Sequence, residues 1–326
     1  MTPGKPETGA ALINVLILVG ILSVLATGMI DRLRLAQRLQ INVAAQEQAR
    51  SGMAAAETLL LDRMRSPGAM LAALGQPLTL ALPQGRIDAR ISDAGTCFNL
   101  NSLAVGTSGS FAARPLAVAQ FARLMTLAGV ADDKARSVAA ATADWIDSDD
   151  TPGPGGAEDA AYARAIIPYR TGGTLMAETS EWRAVAGVNT DVHARVRPLL
   201  CALPEAELSR INVNALVPAQ APLLAMLTGS SSDGARAVIA ARPRGGWKSR
   251  DAFWASPALA QARPPADALG QVIVSPAFAV LDIGIIAAGA SAQQGTLVRV
   301  GEAGAAVGSA IAGRPRILAR RWSPEE

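Results

Sequence analysis

Apolar residues are distributed unevenly, and the longest uncharged run stands near the beginning of the chain. It extends from Ala10 to Ile30 and ends at Asp31 and Arg32. A helix rises about 1.5 Å per residue, so a run of this length spans a bilayer core about 30 Å thick. The pattern predicts a membrane-spanning helix.

After the span, the sequence keeps a helical periodicity. From Asp31 to Met64 it has no proline and one glycine, Gly52, and Pro67-Gly68 ends the pattern. Steps of mostly three and four residues place the apolar positions on one face. These positions are Leu35, Leu39, Val43, Ala49, Met53, Ala56, Leu60 and Met64. The two halves together predict one helix from about Ala10 to Met64, about 80 Å long.

Beyond this helix the periodicity changes twice. Residues 78–91 alternate apolar and polar positions around Pro83-Gln84-Gly85, which is typical of a hairpin. Helical patterns follow at about 115–128, 132–146, 178–186, 190–197, 215–227 and 234–241. Strand patterns return after Gln271 in QVIVS, AFAVLDIGIIAAG, TLVRVGE and RILARRW.

The order of strands, helices and strands predicts an α+β fold with a large inserted all-α domain. Residues 31–104, which include the soluble half of the helix, and residues 270–326 would form one domain. In it the long helix packs on an antiparallel sheet. Residues 105–269 would form the insertion. The chain of 326 residues is long enough for two hydrophobic cores beyond the span.

Charge and motifs narrow the function classes. The net charge of +3 comes from scattered arginines, and no basic tract indicates a nucleic-acid-binding arm. The chain has one histidine, His193, and lacks a Gly-x-Ser-x-Gly elbow, a phosphate loop and a dinucleotide fingerprint. The sequence therefore predicts a protein that is not an enzyme.

Two cysteines, Cys97 and Cys201, are too far apart for a CxxC redox or zinc motif. In an oxidising compartment they would form a disulfide; the alternative is two unrelated buried thiols. The positive-inside rule alone would keep the bulk of the chain in the cytoplasm, because Arg32, Arg34 and Arg38 follow the span. The cysteines and an acidic loop favour an exported domain instead.

The acidic loop holds five carboxylates between residues 147 and 159 and no lysine or arginine. They are Asp147, Asp149, Asp150, Glu158 and Asp159. Unpaired, these charges repel one another, and a hard cation with six to eight oxygen ligands would relieve the repulsion. The spacing differs from that of an EF-hand. The residues leave two interpretations open: a cation site or a solvated acidic loop.

The leader and span resemble those of the type IV pilin class, in which a short polar leader ending in glycine is cleaved before the apolar helix. An uncleaved signal anchor is the alternative. Further segments resemble the K-class minor pseudopilins of type II secretion systems. They are RIDARISDAGTCFNLNSL, DWIDSDDTPGPGGAEDAAY, ETSEWRAVAGV and SRINVNAL, in that order along the chain.

The resemblance implies cleavage by prepilin peptidase between Gly9 and Ala10. It implies a pilin-like domain in the periplasm, on a single-pass inner-membrane anchor. It also implies structural calcium in the acidic loop, for which we expect four carboxylate ligands: Asp147, Asp149, Glu158 and Asp159. Asn14 stands where most pilins have glutamate, five residues after the cut. A subunit with none above it has no amine to pair with such a carboxylate, so Asn14 agrees with a position at the tip.

The implied function is that of a tip subunit that initiates and caps the pseudopilus for protein export. The implied partners are the I-class and J-class minor pseudopilins, the H class, the major pseudopilin and the inner-membrane secretion platform. We expect the helices to pair through the apolar stripe Leu35, Leu39, Val43 and Ala49.

A competing hypothesis is a membrane-anchored DNA-binding protein. Residues 211–241 resemble a helix-hairpin-helix module, which binds phosphate through backbone N–H groups of a Gly-apolar-Gly hairpin. Here the hairpin is Thr228-Gly-Ser-Ser-Ser-Asp-Gly234, which lacks that pattern and contains an acid. The sequence therefore favours a structural use of this hairpin.

Overall fold

The computed structural model describes residues 8–65, 70, 72–82, 85–107, 109–260, 262–287, 290–300 and 315–323. Most of the predicted leader, the Pro67-Gly68 terminator and Pro83-Gln84 of the predicted hairpin turn lie outside these residues. Within them the strands are β1 (Pro77–Leu82), β2 (Gly85–Asp93), β3 (Phe98–Asn99), β4 (Ala104–Thr107), β5 (Ser110–Ala113), β6 (Leu200–Cys201), β7 (Ile211–Asn212), β8 (Val272–Ile273), β9 (Phe278–Ala287), β10 (Ala290–Arg299) and β11 (Arg316–Ser323).

The predicted long helix is confirmed. Helix α1 runs without interruption from Thr8 to Arg63. It is the one helix of the described residues that is long and apolar enough to cross a membrane, and none of its most apolar window is buried by the other described residues. One helix therefore combines an exposed apolar segment, which is a candidate membrane anchor, with a segment packed on the sheet.

The packed half of α1 lies on a five-stranded antiparallel sheet of order β1-β2-β9-β10-β11. Alternation along β2 and β9 directs Ile87 and Ile285 toward the helix, where both are buried. A Cβ on Gly52 would stand 3.0 Å from Ile285 Cδ1, so the glycine allows α1 to approach the sheet closely. The helix contributes Ala49, Met53, Ala56 and Leu60 to this core, and Met64, directly after its end, adds to it.

An ion pair between a buried glutamate and a half-exposed arginine attaches β11 to α1. Glu57 on α1 accepts hydrogen bonds from Arg320 Nη2 at 2.8 Å and Arg320 Nε at 3.0 Å. Gln294 on β10 donates to the same carboxylate at 2.8 Å. Since every oxygen of Glu57 has a partner, its burial is compensated within the chain.

The head, which we define as residues 98–274, is inserted between the neighbouring strands β2 and β9. Its main helices are Pro115–Leu127, Asp132–Ile146, Thr190–Val196, Ala221–Thr228 and Ser232–Ala240. The segment predicted as a helix at 178–186 is a 3-10 helix, Thr179–Ala184. Three two-stranded ladders, β3-β6, β4-β5 and β7-β8, complete the head. The α+β architecture with an inserted helical domain is confirmed.

The domain boundaries differ from the prediction. Phe98, Leu100 and Leu103, which the pattern assigned to the sheet domain, are buried in the core of the head. At the far end, Val272 belongs to the same core and pairs with Ile211. The short apolar runs at both ends fit either core by composition, and only the packing assigns them to the head.

Head and sheet domain are joined by several contacts. Glu205 of the head lies 2.6 Å from Arg299 Nη2 on β10. Arg321 on β11 forms an ion pair with Glu178 at 3.3 Å and donates to the Ala177 carbonyl. Cys97, which directly precedes the head, forms a disulfide with Cys201 of the head, with a Cα–Cα distance of 5.7 Å. These contacts tie β10 and β11 directly to the inserted domain.

Candidate metal centre and helix surface

The acidic loop begins where the helix Asp132–Ile146 ends. The Asp147 N–H still donates to Ala143 O at 3.0 Å, so Asp147 is held against the last helical turn. The loop then returns to the short helix Asp159–Tyr162, for which Glu158 is the N-cap residue. Two helix ends thus place two acidic side chains opposite each other.

Three carboxylates converge in this loop. Asp147, Asp149 and Glu158 each offer an oxygen, and these oxygens lie within 4.8 Å of one another. Asp147 and Glu158 are each 4% exposed. Among the described residues, Asp147 Oδ1 and both Glu158 carboxylate oxygens are buried without a hydrogen-bond partner. Buried acceptors without donors are costly, so this arrangement calls for a positive charge.

The electrostatics of the cluster agree with its geometry. Burial raises the pKa of Asp147 to about 7, and the nearby charges of Asp149 and Asp144 add to the effect. Burial likewise raises the pKa of Glu158 to about 7, with further contributions from Asp147 and Asp144. Without a cation, the fold therefore favours the protonated form of both groups.

Asp144, which the sequence pattern does not single out, organises the loop. Its carboxylate is buried and accepts hydrogen bonds from Gly153 N at 3.2 Å and Ala157 N at 2.7 Å. A Cβ on Gly156 would overlap Asp144 Oδ2, so glycine is required there. One sequence feature could have indicated this role: Asp144 is an acidic residue in an otherwise apolar part of the helix Asp132–Ile146.

Asp159, the fourth predicted ligand, is not part of the cluster. Its Oδ1 accepts hydrogen bonds from the backbone N and Oγ1 of Thr171, at 2.9 and 3.0 Å. Adjacent residues at a helix start point in different directions, so Glu158 faces the cluster whereas Asp159 faces Thr171. The predicted set is therefore corrected to Asp147, Asp149 and Glu158.

The donor set fits calcium. It consists of carboxylate oxygens alone, which are the ligands that hard divalent cations prefer, and calcium accepts six to eight oxygens in flexible geometry. Three carboxylates offer up to six oxygens, and the loop adds backbone carbonyls. The orphaned buried oxygens of Asp147 and Glu158 are the groups that such an ion would satisfy.

The predicted helix-pairing stripe divides into two parts. Leu35, Leu39 and Val43 are exposed in the chain, whereas Ala49 is buried against the chain's own sheet. Ala49 is therefore removed from the set available to partners, because α1 meets the sheet from about this point onward. Leu33 and Ile41, outside the predicted stripe, are also exposed.

The predicted cleavage position lies at the start of α1. Gly9 and Ala10 are in its first helical turns, while residues 1–7 lie outside the described part of the chain. Asn14 is exposed in the apolar half of the helix.

The helical hairpin at 221–240 has structural contacts in place of a phosphate site. Gly229 has φ +72°, and a Cβ there would stand 2.8 Å from Arg263 O, so the turn packs against the chain. Arg242 Nη1 donates to Asn214 O at 2.8 Å and Leu216 O at 2.9 Å. A guanidinium used in this way supports the structural interpretation of the hairpin.

Comparisons with known proteins agree with these observations. Residues 96–205 and 211–274 match family models described as type II secretion system protein K. The type II secretion system protein K of Pectobacterium carotovorum subsp. carotovorum is 35% identical over 255 residues, covering 74% of this chain and 77% of the relative. That of Aeromonas hydrophila is 34% identical over 267 residues, covering 76% and 80%.

A solved structure has the same fold. It is a chain of the GspK–GspI–GspJ complex from the type 2 secretion system of enterotoxigenic Escherichia coli. The match has a TM-score of 0.69 and 27% identity, and it covers 86% of this chain and 97% of that chain.

Proposed function

The chain belongs to the type II secretion system protein K family, whose members are minor pseudopilins, and we propose that it forms the tip of the pseudopilus. In this position it initiates assembly and caps the growing end, so that proteins can be exported across the outer membrane. The role is one of assembly and involves no catalysis.

One observation carries this proposal: the same chain contains an exposed apolar helix and a large head. The first half of α1 exposes an apolar surface that can pack against the helices of other subunits. Residues 98–274 add a large second domain to the same chain. Contacts of Glu205 and Arg321 fix the head to the sheet domain. A fixed head of this size supports a capping role, because it occupies space that another subunit would need.

We propose that the partners are the I-class and J-class pseudopilins. The support is the solved complex in which a protein of the same fold assembles with GspI and GspJ. On this chain the contacting surface would be Leu35, Leu39 and Val43, which are apolar and exposed. We further propose contacts with the H class, the major pseudopilin and the inner-membrane platform, and processing by prepilin peptidase at Gly9-Ala10.

The proposed location is the inner membrane, with the head in the periplasm. The apolar half of α1 is a candidate anchor. The disulfide between Cys97 and Cys201 supports an oxidising compartment for the head, since disulfides persist there and are reduced in the cytosol.

Structural calcium is the proposed cofactor. Asp147, Asp149 and Glu158 would hold it, and its charge would remove the repulsion between them. Asp144 would keep the loop in place through Gly153 and Ala157. The ion's role is to fix a loop that contains two prolines and three glycines between residues 151 and 156.

Co-purification tests the proposed assembly. We expect Leu35→Asp with Leu39→Asp to abolish recovery of the I-class and J-class partners with the full-length chain, since charges would enter an apolar helix contact. Gln37→Asp with Gln48→Asp is the matched control, because about 100° per residue places both on the opposite face of α1. Equal recovery of the partners by both double variants would contradict the proposal.

A further inference from the structure

The chain between the helix Asp132–Ile146 and the 3-10 helix Thr179–Ala184 is long and has little regular structure. It consists of residues 147–178, all of which the structure describes, and we call it the bridging segment. Its one helix is Asp159–Tyr162. Most of the segment lacks the repeating backbone hydrogen bonds of a helix or a sheet, so it depends on contacts with other parts of the chain to stay ordered.

The first part of the bridging segment contains the carboxylate cluster. Asp147, Asp149 and Glu158 converge there. Buried oxygens of Asp147 and Glu158 have no hydrogen-bond partner among the residues that the structure describes. Bringing these groups together costs free energy that the described contacts do not return, so a bound cation would favour the closed form of this part.

Hydrogen bonds connect the later part of the segment to the cluster. Thr171 donates from its backbone N and its Oγ1 to Asp159 Oδ1, at 2.9 and 3.0 Å, and Asp159 directly follows a proposed ligand. Gly173 N donates to Trp145 O at 3.1 Å. A Cβ on Gly173 would stand 3.7 Å from Asp147 O. This part of the segment therefore lies against the backbone of a proposed ligand.

Aromatic rings join the same two parts. Tyr162 is buried, and its ring centroid lies 5.3 Å from that of Trp145 and 5.1 Å from that of Tyr169. Tyr162 belongs to the earlier part of the segment and Tyr169 to the later part, so displacement of one uncovers the other. The two parts therefore gain and lose their packing together.

The last residues of the segment are anchored one step further along the chain. Met176 is buried, and both of its backbone groups bond Asn101: its N donates to Asn101 Oδ1 at 2.7 Å, and its O accepts from Asn101 Nδ2 at 2.9 Å. Two residues separate Met176 from Gly173. Because the backbone between these anchors is short, movement at one of them displaces the other.

The end of the segment contacts the sheet domain. Arg321 on β11 donates to Ala177 O, and its Nε lies 3.3 Å from the Glu178 carboxylate. The other ion pair between head and sheet joins Glu205 to Arg299, and Glu205 lies outside the bridging segment. One of these two ion pairs is therefore made by the same segment that holds the carboxylate cluster.

We propose that the bridging segment opens and closes as one cooperative unit, so that calcium in the cluster also strengthens the contact of the head with β11. The ion acts at this distance because it binds only the closed segment and thereby lowers the population of the open one. When the segment opens, Ala177 and Glu178 leave Arg321, and the head is less firmly oriented on the sheet. The inference rests on the proposed calcium site.

Hydrogen exchange of the full-length chain in detergent micelles, measured by mass spectrometry, tests the proposal. Peptides that contain Ala157 and Ala177 report on the two ends, since each of these N–H groups donates to a carboxylate at 2.7 Å. With calcium at about one hundred times its dissociation constant, we expect protection to rise about 100-fold at both ends. A rise near Ala157 that stops before Met176 would overturn the proposal, because Asn101 would then hold the far end independently.

The reverse effect is measured in chelator. Arg321→Ala removes a contact at the far end only, yet protection at Ala157 should fall about threefold to fivefold. A single opening reaction exposes both ends, and a half-exposed ion pair contributes modestly to it. Arg299→Ala is the matched control, since it breaks the ion pair outside the segment and should leave protection at Ala157 unchanged. Equal protection at Ala157 in Arg321→Ala and in the unmodified chain would refute the coupling.

Melting temperatures of the same samples keep this proposal apart from the calcium site. If calcium raises the melting temperature and protects Ala157 without protecting Ala177, the calcium site stands and the coupling fails. If calcium changes neither the melting temperature nor the exchange, the calcium site fails and its coupling to β11 fails with it.

Discussion

Two regions of the molecule bury carboxylates to the same extent with opposite consequences. Glu57, between α1 and the sheet, is 5% exposed, and Asp147 and Glu158 in the head are each 4% exposed. Glu57 is satisfied by Arg320 and Gln294, whereas oxygens of the head pair have no hydrogen-bond partner among the residues that the structure describes. Burial alone therefore does not identify a binding site. The absence of an internal counter-charge is the better indication, because such carboxylates must either take up protons or bind an external cation.

The largest expected effect comes from breaking the satisfied pair. Arg320→Ala leaves Glu57 buried without its cation. A fully buried pair broken in this way costs about 3–5 kcal/mol. Since the Arg320 side chain is 48% exposed, we expect about 2–3 kcal/mol of lost unfolding free energy. Chemical denaturation should give the same loss with and without calcium. If the loss of unfolding free energy in Arg320→Ala depended on calcium, the Glu57 region and the carboxylate cluster would not be independent, and the comparison would fail.

The second effect concerns the unsatisfied pair. Calcium at about one hundred times its dissociation constant should raise the unfolding free energy by about 2.7 kcal/mol, because it binds only the folded form. Asp147→Asn with Glu158→Gln should abolish this rise and should stabilise the calcium-free protein by removing repulsion. Thermal melts with and without chelator measure both quantities. A double variant that still responds fully to calcium would show that the cluster is not the site.

A smaller effect is expected at Asp144, which we regard as a positioning residue. Asp144→Asn weakens its contacts with Gly153 and Ala157, and changes of this kind lower metal affinity about 10–100-fold. Calcium titration followed by melting temperature measures the affinity. Asp159→Asn is the matched control, since Asp159 bonds Thr171 outside the cluster. Equal affinities for the two variants would contradict the role given to Asp144.

The smallest effect is a pH dependence of the calcium-free protein. Asp147 and Glu158 have pKa values raised to about 7 in the fold, from ordinary values near 4. Raised carboxyl pKa values stabilise the folded form at low pH, and this contribution is lost as the pH rises from about 4 toward 7. In chelator, the chain should therefore lose stability over this range relative to Asp147→Asn with Glu158→Gln. Calcium should reverse the trend, because it needs ionised ligands. Parallel pH profiles for the two proteins would refute the assignment.

Prediction from sequence succeeded where periodicity is long. The apolar run and the stripe that ends near Met64 specify α1, because helix geometry repeats the same face over many turns. The alternation in β1, β2 and β9 similarly identified the sheet. It failed for short apolar segments, such as Phe98 and Leu103, whose residues suit either of two cores.

The candidate site was predicted in part. Composition marked the acidic loop as a place where like charges need compensation, and the family resemblance implied four ligands, of which the structure brings Asp147, Asp149 and Glu158 together. Asp159, an expected ligand, lies outside the cluster, and Asp144 was not singled out from the sequence. Counting residues gives no direction for a side chain at a helix end, and the orientation of the two helices that meet there decides it.

The sequence by itself determined the long helix, the sheet strands, the insertion of a helical head and the concentration of negative charge in one loop. These features depend on local periodicity and composition, which each segment carries with it. The tertiary structure alone decided where α1 becomes buried, which carboxylates meet, and why Glu57 is satisfied while Asp147 and Glu158 are not. Glu57 depends on Arg320, 263 residues away in the chain, and the carboxylate cluster depends on how two helix ends are oriented, so folding decides both.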